Sequence, residues 1–185
     1  MATKKIRCQW ADSHELHAAY HDAEWGVPVH DDRELFEMLN LEGAVAGLSW
    51  LTVLKKREGY RKAFDNFDWK KIAKYDAKKQ AALMQDAGIV RNKLKINAVV
   101  ENAKAIQLVQ KEFGSFDKYC WSFVGGKPQH GGGKNVPSPE CIAFAKDLKK
   151  RGFRFVAPTT CYAFMQAVGI VDDHAPYCFR AKKTK

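Results

Sequence analysis

One stretch dominates what this chain can fold into. From Asn92 to Phe113 the apolar residues Ile96, Val99, Ala103, Ile106 and Val109 recur at three- and four-residue intervals, with no glycine or proline to interrupt them. That spacing lines one face of a long helix. Nowhere does the sequence show clean period-two alternation, so it predicts an all-α protein. The remaining segments agree. Asp31-Asp32 precedes Leu35, Phe36 and Leu39, then Leu41, Val45 and Leu48, a capped helix with acids in its first turn. A second helix is predicted over Trp50–Phe64, with Lys55, Lys56, Arg57 and Arg61 on its wet side. Asp68 and Asp76 begin two short helices, and another covers Phe116–Val124.

Residues 125–139 break the pattern with five glycines and three prolines, a flexible loop. Ser138 then caps a helix over Pro139–Lys150, with proline at its first position. Thr159 or Thr160 is predicted to cap the last helix, which ends at Gly169. The whole, residues 1–185, is read as a single domain of two helical lobes with a frayed tail over 180–185.

Composition removes several classes. A chain of 185 residues with 46% hydrophobic and 28% charged residues can bury a core without disulfides and is not disordered. The charge-free run Ala44–Leu54 is far short of the roughly 20 apolar residues that a membrane span requires. Nothing apolar follows the charges of Met1–Arg7, so no secretory signal is expected and the expected address is cytoplasmic. The net charge is +10, and +6 of it lies between Cys141 and Lys185. Clustering of that kind suits a polyanion partner, although a solubilising surface explains it as well.

Three groups of residues could carry chemistry. Cys8 and His21 near one end, with His174 and Cys178 near the other, offer two thiolates and two imidazoles, a set suited to closed tetrahedral zinc. Such a site would be structural and would tie distant segments together. From the spacing alone a surface histidine beside a buried cysteine is the favoured reading, and His17 is the nearest rival to His21. Cys120, Cys141 and Cys161 sit in apolar surroundings and read as core. The second group is the link from Lys149 to Thr159, a helix-hairpin-helix pattern. Its backbone N–H groups could meet a phosphate, with Lys150, Arg151 and Arg154 gripping neighbouring phosphates. The third group is Trp10, Tyr20, Trp25 and Trp50 with Glu42, an acid inside an otherwise apolar stretch. Flat aromatic walls and one carboxylate would suit an electron-poor, amine-bearing base, and ordinary core packing is the competing reading for each ring.

These residues lie in longer strings. Tyr20-His21-Asp22-Ala23-Glu24-Trp25-Gly26-Val27-Pro28, Leu41-Glu42-Gly43, Ala46-Gly47-Leu48-Ser49-Trp50, Trp121-Ser122-Phe123-Val124 and Leu148-Lys149-Lys150-Arg151-Gly152-Phe153 are the clearest. Over Cys8–Cys178 the chain closely resembles the bacterial DNA-3-methyladenine glycosylase I family. The resemblance implies the helix-hairpin-helix glycosylase fold with a zinc-stapled lobe joining the N- and C-terminal segments. It implies a structural Zn2+ on Cys8, His21, His174 and Cys178, one per chain. It places Glu42 as the catalytic residue, and Tyr20, Trp50, Trp10 and Trp25 as substrate-binding. It assigns DNA binding to Lys150, Arg151, Gly152, Arg154 and Thr159. The implied enzyme is a monofunctional, monomeric glycosylase acting on double-stranded alkylated DNA and releasing free 3-methyladenine. Asp173 is read as orienting His174 rather than as a catalytic group. Ala157 stands where many relatives have glycine, which bears on how closely the hairpin backbone approaches phosphate. The competing account is a non-enzymatic, zinc-stapled protein that only clamps DNA backbone. A third is a small-molecule enzyme with a flat cationic substrate.

Overall fold

The computed structural model describes residues 5–181; Lys182, Lys183 and Lys185 of the basic tail lie outside the described residues. The helices are α1 (Glu15–Ala23), α2 (Asp32–Val45), α3 (Trp50–Leu54), α4 (Arg57–Ala63), α5 (Trp69–Ile72), α6 (Ala77–Leu83), α7 (Lys93–Phe113), α8 (Phe116–Ser122), α9 (Pro139–Lys150) and α10 (Pro158–Ala167). None is long and apolar enough to cross a membrane.

The long α7 forms as its periodicity dictates. Asn92 caps it by accepting from Lys95 N, and the five inward residues are buried. α5, α6, α8 and α2 pack against it. α2 is more enclosed than an amphipathic pattern suggests. Every residue from Leu35 to Ala44 is buried, because α3, α7, α8 and α10 surround it. A helix covered on all sides must place its polar residues against partners or cavities. Glu37 meets Arg57 and Arg61, Asn40 meets Asn102, and Glu42 faces a cleft.

Asp31, Asp68, Asp76 and Ser138 cap their helices as read from sequence. Three expectations change. The predicted Trp50–Phe64 helix is two helices, broken at Lys55-Lys56. The break lets Arg57, only 16% exposed, bridge Glu37 at 2.7 Å and Glu24 at 2.5 Å instead of facing solvent. Neither Thr159 nor Thr160 caps α10. Ala157 occupies the cap with no side-chain bond, because Pro158 already presets the first helical φ and Thr159 falls inside the first turn. The glycine-rich loop is fastened at its middle: Gln129–His130 (β1) pairs in parallel with Val171–Asp172 (β2).

Candidate active site and metal centre

α2 ends beside the entry to α3, so Glu42 and Trp50 approach each other while α1 supplies Tyr20. Trp10, in the turn Gln9–Ser13, packs edge-on against Trp25 at 5.2 Å, and Tyr20 lies 5.1 Å from Trp50. All five residues line one open cleft of about 600 Å³. Each aromatic ring therefore packs in the core and also walls the cleft.

Some polar atoms in this cleft lack partners among the described residues. The Tyr20 hydroxyl and the Trp50 indole N–H are buried and unbonded. Glu42 is 8% exposed, and burial alone pushes its carboxyl up to about 8. Burial, with the nearby Glu42 adding to it, raises the Tyr20 phenol well above its ordinary value. A buried donor or acceptor without a partner costs roughly 1–3 kcal/mol, so these groups are poised for a ligand that supplies the missing bonds.

Sequence reasoning missed part of the lining: His17, Asn135, Gln166 and Asp173 also border the cleft. Asp173 does not orient His174. It accepts from Gly133 N at 2.7 Å, Asn135 N at 3.0 Å, Gln166 Nε2 at 2.7 Å and the Tyr162 hydroxyl at 3.1 Å, pinning the glycine-rich loop as one wall. The neighbouring Asp172 takes the expected role, 2.8 Å from His174 Nδ1.

Behind the aromatic wall, one ligand atom each from Cys8, His21 and Cys178 lies within 4.8 Å of the others, a cluster that could hold a metal ion. The chain meets itself here: Ala175 N donates to Cys8 Sγ, and His21 Nε2 lies 3.4 Å from Cys178 Sγ. Asp22, held by Arg7, engages His21 Nδ1 at 3.0 Å. His174, whose ring stands 5.3 Å from that of His21, is outside the tight trio, but its Nε2 is buried and has no partner among the described residues. Both imidazoles thus have Nδ1 engaged by a carboxylate and Nε2 directed elsewhere, the usual arrangement for metal-bound histidines. Burial raises the Cys8 thiol to about 12, so a cation is needed to hold it as thiolate near neutrality. The donor set fits a thiophilic ion.

α9, the link Arg151–Ala157 and α10 present Lys150, Gly152, Arg154 and Thr159 to solvent. Gly152 takes φ +93°, where a side chain would be strained, whereas Ala157 at φ −62° carries its Cβ without strain. Arg151 is committed elsewhere. It pairs with Asp147 at 2.5 Å and Glu112 at 2.6 Å and lies over the Phe113 ring. Buried Asn102 on α7 clasps the link, accepting from Arg154 N at 2.7 Å and donating to Asn40 Oδ1 at 2.9 Å on the Glu42 helix.

Helices thus wrap an acid-bearing aromatic cleft, and the same molecule carries a basic helix–link–helix. The chain belongs to the methyladenine glycosylase family, whose model matches residues 10–181. It is 49% identical to the DNA-3-methyladenine glycosylase of Haemophilus influenzae, over 93% of this chain and 96% of the relative. Two solved glycosylase I structures, each 35% identical with a TM-score of 0.91, cover 97% of this chain and 99% of theirs. One is a tyrosine-to-phenylalanine variant in complex with 3-methyladenine; the other is a glutamate-to-glutamine variant from Staphylococcus aureus.

Proposed function

We infer that the protein hydrolyses the N-glycosidic bond of 3-methyladenine in double-stranded alkylated DNA, releasing the free base and leaving an abasic site. The observation that carries this reading is Glu42, a buried carboxyl with no hydrogen-bond partner among the described residues, set among indole and phenol rings. In support, the tyrosine and glutamate replaced in the two solved variants have the same separation in sequence as Tyr20 and Glu42.

N3-methylation makes the adenine of the nucleotide cationic, so it departs as a neutral base when it takes the C1′–N9 bonding pair. A water oxygen adds to C1′ and its proton passes to solvent. The chain's task is to extrude and select the nucleotide, which costs a few kcal/mol of unstacking. Trp50 stacks on the cationic ring, and Tyr20 and Glu42 bond its edge. The cation favours the ionised form of Glu42 that burial disfavours, so charge and amino edge are recognised together. Asp173, with four hydrogen bonds to accept, supports the loop wall and is assigned no step in the reaction. Lys150, Gly152, Arg154 and Thr159 hold DNA backbone, with Arg151 bracing the link from behind. Zn2+ on Cys8, His21, His174 and Cys178 would leave no open coordination position and would supply folding energy only.

The test is chromatographic: methylated duplex DNA incubated with the protein yields free 3-methyladenine. A folded, metal-loaded sample that binds the DNA and releases no base would leave only the backbone-clamp account standing.

A further inference from the structure

His17 has its own place in the cleft, one helical turn before Tyr20 on α1 and edge-on to Trp10 at 5.6 Å. Its tautomer follows from its neighbours. The Ser13 hydroxyl has one proton, which it donates to the Trp10 carbonyl at 2.6 Å. Ser13 Oγ also lies 2.8 Å from His17 Nδ1, so in that contact Oγ must accept and Nδ1 must carry the hydrogen. A neutral imidazole with Nδ1 protonated has a bare lone pair on Nε2. That Nε2 is buried and has no partner among the described residues. Burial, with His14 nearby, lowers the His17 pKa, which favours the neutral ring.

Among the described residues the buried atoms without partners in this cleft are the Tyr20 hydroxyl and Trp50 Nε1, which donate, and His17 Nε2, which accepts; the Glu42 carboxyl lines the same cleft. We propose that His17 is a base-contacting, specificity-determining residue whose Nε2 accepts a hydrogen bond from an N–H of the extruded base. The inference rests on the glycosylase reading above. A 3-methylated adenine offers N–H donors only at its exocyclic amine, whose two hydrogens allow one bond to Glu42 and one to His17 Nε2. A base carrying a carbonyl at the same edge would set its oxygen against the lone pair and be rejected. Ser13 is then a positioning residue that fixes which ring nitrogen is bare.

Two measurements test this. In His17→Phe the ring area is kept and the acceptor lost; the Kd for free 3-methyladenine should rise about tenfold, as for one lost hydrogen bond to a buried group. In wild-type protein with 15N-labelled histidine, Nδ1 should carry the proton, and the Nε2 resonance should shift when 3-methyladenine is added. A proton on Nε2 in the free protein, or an Nε2 resonance that ignores the ligand, overturns the proposal even if the variant fails to fold. Unchanged affinity in a folded His17→Phe protein does the same. If wild-type protein neither binds nor releases 3-methyladenine, the glycosylase reading itself has failed; if it does both while His17 proves indifferent, only the role of His17 falls.

Discussion

Glu42→Gln separates stability from recognition in one side chain. Glutamine keeps the shape and removes the ionisation. Folding holds the Glu42 carboxyl at about 8, against an ordinary value of 4.5. Between those values the unfolded chain has lost this proton and the folded chain keeps it. Stability from this group is therefore complete below pH 4.5, declines through the interval and is at its lowest above pH 8. The gap corresponds to roughly 4–5 kcal/mol at most, at about 1.36 kcal/mol per pH unit. Urea unfolding of both proteins at pH 4.5 and pH 8.5 isolates the effect from every other titrating group. The variant should gain several kcal/mol on wild type at the higher pH and little at the lower, while base release collapses. Stability differences that are the same at both pH values would refute the claim that the carboxyl is buried without a partner.

Further outcomes follow from other contacts. Purified protein should contain one zinc per chain, and Cys8→Ala should lose the metal and several kcal/mol of stability, read by elemental analysis and thermal melting. Asp173→Asn leaves Gly133 N or Asn135 N unbonded, costs about 2–3 kcal/mol locally and should speed protease cleavage within residues 125–139. Lys150→Ala and Arg154→Ala should each reduce the salt slope of duplex binding by about 0.9, without altering affinity for the free base. Arg151→Ala should lower the melting temperature and leave that slope alone, since its guanidinium is already paired.

Much of the architecture was written in local pattern. α7 is legible because its apolar residues repeat without interruption, and Asp31, Asp68, Asp76 and Ser138 are caps whose side chains act within three residues. Glu42 stood out as an acid where apolar residues dominate. What stayed hidden depends on contacts across the chain. Nothing local tells Asp172 from Asp173; the turn after β2 decides which carboxylate meets His174 and which meets the loop. Arg151 reads as a phosphate ligand until Glu112, distant in sequence, is seen to occupy it. β1 and β2 are two residues each, too short for alternation to register. His17 looked like a rival metal ligand, and only the single proton of Ser13 shows where its lone pair is left bare.

The meeting of Cys8 with Ala175, and of Ile6 O with Phe179 N at 2.8 Å, has a consequence for biosynthesis. Ribosomes deliver the Trp10–Trp50 wall long before its counterpart around Ala175 and Tyr177 emerges. A nascent chain therefore exposes half-assembled indole surfaces until Ala175 and Tyr177 have followed. Premature termination should yield insoluble fragments rather than partially active enzyme.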